Sequence, residues 1–331
     1  MIERPLTRWW LYVLFFFLTM FSTTIVGAGL EFNYLHRQPM FSLADDVEVS
    51  VFPIEWALAE PANLLLGVPF SLTLMFILFS HEMGHYLYAR RYRVYVTPPF
   101  FVPFPSLIGT LGAFIRIKSP IPSRAALFDI GIAGPIAGFI PACVALLVGL
   151  QWSRPIASPI GPYIELGLPL IFQLGAHVMR IATPLSSLAL HPIAVAAWVG
   201  MFATSLNLLP GGQLDGGHIV FSVSPRLHRW TSVLTVLALI PLGRYLWYGW
   251  FLWAAILSLT WRHPSVPRYP SVSGGRRWIA AFGLLILLLT FTRVPVAQRN
   301  IEPYSWQKLR NDARDDYYQF RDKVRRKFHR N

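Results

Sequence analysis

The chain has 331 residues, of which 54% are hydrophobic, 15% aromatic and only 14% charged. Soluble domains usually carry about 25% charged residues, so this composition argues against a water-soluble globule and also excludes a disordered chain. The single cysteine, Cys143, excludes a disulfide scaffold. The formal net charge is +13, but the basic residues gather at the C-terminus and beside apolar segments. We therefore expect a polytopic membrane protein with no nucleic-acid partner.

Apolar segments long enough to cross a bilayer, about 20 residues, recur along the chain. The first, residues 9–30, is uncharged and too long and bulky for the apolar region of a cleaved signal peptide, so we interpret it as a retained anchor. The further predicted spans are 67–89, 125–150, 189–210 and a helical hairpin over 230–260 that breaks near Gly243-Arg244. Two weaker segments, 278–292 and 162–182, bring the expected total to about six or seven transmembrane helices. We expect 162–182 not to cross fully.

The loop charges predict an orientation. Segment 31–60 holds six acidic residues and one Lys or Arg, whereas segment 90–124 holds six basic residues and no acidic one. The positive-inside rule therefore places the N-terminus, 90–124 and 261–277 in the cytoplasm and 31–60 outside. The tail 293–331 is also basic, which conflicts with a full crossing by 278–292. The sequence leaves two alternatives: that segment is re-entrant, or the tail breaks the charge rule.

The second predicted span carries the HExxH motif His81-Glu82-Met83-Gly84-His85. Histidines at i and i+4 lie on one face of a helix, so both imidazoles can reach one zinc ion, and the glutamate is placed to take a proton from a zinc-bound water. The alternative interpretation is that the two histidines and the glutamate are hydrogen-bonded in the polar interior of a helix bundle and bind no metal. Ionisable groups inside a span are costly, at least about 2.5 kcal/mol for a charge at its centre, which favours a functional site.

A catalytic zinc usually has three protein ligands, so a third is needed. The candidate is Asp215, which follows Pro210, Gly211 and Gly212 at the end of another apolar segment. These residues would end or unwind the helix, and unwound backbone is tolerated in a membrane only beside protein or a water-filled cavity. The alternative interpretation is that Asp215 is an ordinary turn residue with no role in metal binding. The sequence favours a carboxylate that reaches the metal.

These two motifs together resemble those of the site-2 proteases, a family of intramembrane zinc metalloproteases. The resemblance consists of His81-Glu82-x-x-His85 and Asn207-x-x-Pro210…Leu214-Asp215-Gly216-Gly217, and it extends in weaker form over about 60–293, including Gly131-Ile132-Ala133-Gly134-Pro135 and Arg262-His263-Pro264. No segment has the pattern of an inserted PDZ domain, so substrate selection is left unassigned.

The resemblance implies one Zn²⁺ per chain bound by His81, His85 and Asp215. It implies that Glu82 is the general base and acid, and that Asn207 helps hold the substrate backbone or the developing oxyanion.

Segment 108–118 alternates between apolar and polar or small residues, which predicts a strand. Its edge would pair with an unwound substrate backbone; a hairpin with no substrate role is the alternative. Three weaker candidates each allow two interpretations. His218 either supports the metal site or caps a helix. Asp129 either orients a zinc-bound histidine or begins a helix. Glycines 131, 134 and 138 indicate close helix packing more than catalysis.

We therefore predict an all-α polytopic membrane protein with a small membrane-associated β-hairpin near the active site. It would be a zinc-dependent intramembrane endopeptidase of a bacterial inner membrane, cleaving a transmembrane helix of another protein, with an upstream protease making an earlier cut. The alternative location is a plastid membrane. The alternative functions are a proteolytically silent scaffold of the same fold and a transporter of metals or solutes. The predicted units are an anchor and acidic loop (1–60), a catalytic membrane core (61–217), C-terminal helices (218–293) and a basic tail (294–331).

Overall fold

A computed structural model describes residues 8–43, 49, 52–156, 162–270, 272–299 and 314. Helices dominate, as predicted, and the strands are short. The helices are α1 (Trp9–Leu35), α2 (Ile54–Ala59), α3 (Pro61–Leu66), α4 (Val68–Arg91), α5 (Arg124–Trp152), α6 (Leu170–Val178), α7 (Pro192–Asn207), α8 (Asp215–Val223), α9 (Pro225–Tyr245), α10 (Gly249–Leu259) and α11 (Arg276–Thr290). The strands are β1 (Phe41–Ser42), β2 (Phe100–Pro103), β3 (Thr110–Phe114), β4 (Arg154–Pro155), β5 (Tyr163–Leu166), β6 (Leu188–Ala189) and β7 (Val296–Arg299).

Two helices of the described chain, α1 and α5, are both long and apolar enough to cross a bilayer. Helix α4 has 24 residues, which at 1.5 Å per residue is also long enough, but the histidines and glutamate of its motif lower its mean hydropathy. The predicted break in 230–260 is confirmed, because α9 ends at Tyr245 and α10 begins at Gly249. The total of six or seven spans stays a prediction.

The centre of the molecule is formed by α4, α5 and α7, which pack so closely that small residues are needed at their crossings. A Cβ atom on Gly149 of α5 would lie 2.6 Å from the Cα atom of Ala194 in α7. A Cβ atom on Gly84 of α4 would lie 2.8 Å from the carbonyl carbon of Ala133 in α5. Close helix approach through small residues is typical of membrane bundles. It places the HExxH helix in close contact with its neighbours.

The predicted strand in 108–118 is confirmed as β3, which pairs with β2 in an antiparallel hairpin. The tip of the hairpin is fixed to α1, since the Ser22 hydroxyl donates to the Gly109 carbonyl at 2.6 Å. Gly109 has a φ of +78° and packs against the α1 backbone, where a side chain would not fit. Because Ser22 lies near the middle of α1, the tip reaches the depth of a predicted span. The cytoplasmic placement of segment 90–124, whose residues 94–115 carry no charge, stays a prediction.

A second sheet has the strand order β1-β5-β7 and shows where the chain goes after α11. Its central strand pairs Ile164 with both Phe41 and Gln298, so residues 296–299 lie at the same end of the molecule as residues 41–42. Helix α11 begins at the opposite end, where Arg276 binds Asp129 near the start of α5. It therefore runs from one end of the bundle to the other, and both interpretations of the segment, re-entrant or crossing, stay predictions.

Segment 162–182 forms β5 and the nine-residue helix α6, which is too short to cross a bilayer, as predicted. Residues 300–331 of the predicted basic tail, apart from position 314, lie outside the described residues. The division of the chain into four units stays a prediction.

Candidate metal centre

Three side chains that could ligate a metal converge between α4 and α8. His81 and His85 are one turn apart on α4, and Asp215 is the first residue of α8. The Nε2 atoms of the two histidines are 3.1 Å apart, and Asp215 Oδ2 lies 3.3 Å from Nε2 of His81 and 3.2 Å from Nε2 of His85. Ligands about 2.05 Å from a tetrahedral zinc ion are separated by about 3.3 Å. The three donor atoms therefore have the spacing and chemistry that fit one zinc ion.

The turn before Asp215 explains why the aspartate points at α4. Pro210 follows the end of α7, and Gly212 adopts a φ of +58°, which favours glycine. The two glycines after Asp215 lie against backbone: a Cβ atom on Gly216 would be 2.5 Å from the Leu209 carbonyl oxygen, and one on Gly217 would be 2.6 Å from that of Gly211. The glycines therefore let α8 begin directly against the turn.

The ring of His85 is held in one orientation by α5. Its Nδ1 atom lies 2.8 Å from the carbonyl oxygen of Ile130, and because a carbonyl only accepts, Nδ1 must carry the proton. The neutral ring then presents an unprotonated Nε2 to the site, which is the form that binds a metal. The Ile130 carbonyl could not be found from the sequence, because any backbone group can play this part.

Two of the α5 glycines pack against the ligand rings. A Cβ atom on Gly134 would lie 2.5 Å from Cε1 of His85 and closer still to two other ring atoms. One on Gly138 would lie 3.2 Å from Nδ1 of His81. The prediction of close helix packing at these glycines is therefore confirmed, and the packing partners are the imidazoles of the motif.

The other two predicted site residues also reach this point. Glu82 is buried beside the histidines, and the Nδ2 atom of Asn207, the last residue of α7, lies 3.4 Å from Nε2 of His81. Both residues line an apolar cavity of about 660 Å³ bounded by β3 and α7. A second cavity of about 230 Å³ lies on the other side of the site and is lined by Asp215 and His218 as well. His81, Glu82, Asn207 and Ala113 of β3 border both cavities, so the two meet at the candidate metal centre.

Asp129 does not orient a histidine. Its carboxylate accepts two hydrogen bonds from Arg276, at 2.8 and 2.7 Å, and one from the Tyr92 hydroxyl. Burial and the neighbouring carboxylate raise the pKa of Tyr92, which keeps this hydroxyl a donor. Asp129 thus ties together the end of α4, the start of α5 and the start of α11, and it is the adjacent residue, Ile130, that binds His85.

Comparison with known proteins shows a match to the model of peptidase family M50 over residues 69–242. A rice protein named "Probable zinc metalloprotease EGY1, chloroplastic" is 30% identical over 92% of this chain and 52% of its own length. Its Arabidopsis thaliana counterpart is 30% identical over 88% of this chain and 54% of its own length. The chain thus spans about half the length of these curated relatives. The solved site-2 protease from Methanocaldococcus jannaschii is 15% identical, with a TM-score of 0.32 over 72% of this chain and 82% of that one.

Proposed function

Because this chain belongs to peptidase family M50, the site-2 protease family, we propose that it is a zinc-dependent endopeptidase that hydrolyses peptide bonds within transmembrane segments of other membrane proteins. The observation that carries the proposal is the meeting of His81, His85 and Asp215 in zinc-like geometry beside Glu82. The plant relatives named as probable zinc metalloproteases support the same chemistry. One zinc ion per chain is part of the proposal.

The roles of the side chains follow from what each can donate or accept. Zinc, when bound, lowers the pKa of a bound water from 15.7 to about 7 and so supplies a nucleophile at neutral pH. Glu82, buried beside the histidines, takes a proton from the attacking water and later passes it to the leaving amine. Asn207, whose amide group reaches the ligand His81, donates a hydrogen bond to the developing oxyanion.

The substrate in this proposal lies in the 660 Å³ cavity, since its lining is mostly apolar and its volume lies within the range of ligand-binding pockets. A helix must unwind before its peptide bonds can be attacked, and unwound backbone inside a membrane needs hydrogen-bond partners. Residues 110–113 of β3 line the same cavity and offer a strand for pairing. A hairpin that merely closes the cavity is the alternative role for β3.

The setting in the membrane is also a proposal. The helices α1, α4, α5, α7, α9, α10 and α11 would form seven crossings or partial crossings, with the metal centre toward the cytoplasmic ends of α4 and α7. A bacterial inner membrane stays a prediction without support from the relatives, whose names carry the word chloroplastic. A silent scaffold or a transporter is disfavoured because Glu82 and all three ligands are present and converge on one site.

The proposed activity is tested with Glu82→Gln. Purified full-length chain and a single-span membrane protein are reconstituted together, and cleavage is followed by mass spectrometry. Wild type is expected to cut within the span, whereas Glu82→Gln keeps all three ligands, retains zinc and loses cleavage by orders of magnitude. Glu55→Gln, an exposed glutamate of α2, is the matched control and should cleave normally. Undiminished cleavage by Glu82→Gln would remove Glu82 from the mechanism.

A further inference from the structure

The segment that follows α10, residues 262–270, lies across the end of the molecule that holds the metal centre. We call this segment the strap. Its residue His263 places Nε2 2.7 Å from Nδ1 of His218 on α8 and stacks on Phe221, one turn further along, with a 3.9 Å centroid distance and an interplanar angle of 13°. The strap therefore binds α8 on the face that continues from Asp215.

The hydrogen-bond directions around His263 are fixed by its partners. Its Nδ1 atom lies 2.7 Å from the carbonyl oxygen of Pro264, which only accepts, so Nδ1 carries the proton. Burial lowers the pKa of His263, which favours the neutral ring, and Nε2 of that ring then accepts from His218. One hydrogen-bonded chain thus runs from the strap backbone to the helix that begins with Asp215.

The strap also binds the start of α5, the helix that orients the ligand His85. Its carbonyl groups at Pro267 and Pro270 accept hydrogen bonds, each 3.1 Å long, from the backbone amides of Arg124 and Ala125 in the first turn of α5. These amides have no partner within their own helix. The same helix carries, about one and a half turns further on, the Ile130 carbonyl that orients His85. The strap therefore joins the Asp215 helix to the helix that supports His85.

The turn before Asp215 is bound to the strap too. The side-chain amide of Gln213 donates to the Arg262 carbonyl oxygen at 2.9 Å. On the opposite side of the turn, the Gly212 amide donates to Ser232 at 3.1 Å, and Nε2 of His228 donates to the Gly212 carbonyl at 2.8 Å. Asp215 itself has no hydrogen bond to α9, α10 or the strap in the described structure, so its place depends on these neighbours.

We propose that His263 is a positioning residue of the metal centre: through His218 and Phe221 it fixes α8, and hence the Asp215 carboxylate, at the distance from His81 and His85 that a zinc ion requires. It acts through α8 and touches neither metal nor substrate. This role concerns the metal site alone, so its test does not need the proteolytic activity proposed above.

The experiment measures zinc affinity by competition with a chromophoric chelator, using detergent-solubilised full-length chain. His263→Ala removes the hydrogen bond and the stacking, and zinc should bind roughly tenfold or more weakly, the effect typical of groups that support metal ligands. His263→Phe keeps a ring on Phe221 without the acceptor and should also bind weakly. His263→Gln restores an acceptor and should recover most of the affinity. His177→Ala, an exposed histidine of α6, is the matched control and should match wild type.

A second measurement separates positioning from general damage. With Co²⁺ in place of zinc, the visible absorption bands report ligand geometry, and they should change in His263→Ala while its circular dichroism stays that of wild type. If His263→Ala does not fold, His263→Phe carries the comparison. Wild-type zinc affinity and Co²⁺ spectrum in a folded His263→Ala or His263→Phe would overturn the proposal. A wild-type chain that binds zinc but cleaves nothing would instead contradict the proposed function and leave this inference standing.

Discussion

Adding a single methyl group at Gly134 should remove zinc from the protein without unfolding it. Gly134 lies in the middle of α5, where replacing glycine by alanine normally stabilises a helix by about 0.5–1 kcal/mol. Helix propensity alone therefore predicts that Gly134→Ala is harmless or stabilising. The structure predicts otherwise for the metal site, because the new methyl group would occupy the place of the His85 ring.

The size of the effect follows from the contact distance. The added Cβ atom would lie 2.1 to 2.5 Å from three ring atoms of His85, whereas carbon atoms in contact are about 3.5 Å apart, so the ring must withdraw by more than about 1 Å. Metal–ligand distances tolerate only about 0.2 Å. The ring is the free end of a side chain, so it can move, but moving breaks its hydrogen bond to Ile130 and takes Nε2 out of reach of the metal. The protein is left with two ligands.

The assay is zinc content by atomic absorption, combined with thermal unfolding of the same preparation. Gly134→Ala should retain well under a tenth of the wild-type zinc at limiting metal, with an unfolding temperature of the metal-free chain close to that of wild type. Gly149→Ala is the matched control, since its Cβ atom would lie 2.6 Å from the Ala194 backbone at a crossing without ligands. It should lower the unfolding temperature and keep zinc in the folded fraction. A Gly134→Ala protein with full zinc content would refute the reasoning.

Three further outcomes are expected. Asn207→Ala should keep zinc but lower the rate of cleavage by about 10²–10³, the usual loss for an oxyanion donor, and an unchanged rate would take this role from Asn207. After Cys143→Ala, a cysteine at position 298 should react with an impermeant thiol reagent from outside intact cells, whereas one at position 268 in the strap should not; equal labelling would show that α11 does not cross. Removal of zinc by a chelator should abolish cleavage and lower the unfolding temperature, because a ligand that binds only the folded state stabilises it, and re-addition should reverse both.

Local patterns in the sequence were sufficient for the parts of the site that depend on local geometry. The i, i+4 spacing of His81 and His85 fixes both rings on one helix face wherever the helix lies, and the alternation in 108–118 marks a strand. The meeting of Asp215 with these histidines was a prediction of a different kind, because it requires two helices far apart in the chain to pack together. This prediction required the HExxH motif and the segment around Asp215 to be considered together, because neither motif alone indicates the contact.

The parts that could not be predicted depend on tertiary contacts. Ile130 acts through its backbone carbonyl, so its side chain gives no signal, and Gly134 looks like any other glycine in a tightly packed helix. The course of α11 was ambiguous because loop charge argued against a crossing. The pairing of residue 298 with Ile164, which places the residues after α11 beside β5, is a tertiary contact that the sequence does not show. His263 stood out as part of a weak motif, but its contact with His218 joins residues 45 positions apart.

The most direct test of the account is the zinc content of the Asp215 variants, because the claim that the two motifs form one metal centre depends on this residue. Wild type should bind one zinc ion per chain. Asp215→Ala should lose most of the zinc together with all cleavage, while Asp215→Asn, which keeps the size but not the charge, should lose cleavage and retain part of the zinc. Asp45→Ala, in the acidic 31–60 segment, should behave as wild type. An Asp215→Ala protein with a full complement of zinc and wild-type cleavage would contradict the account, and the third ligand would lie elsewhere.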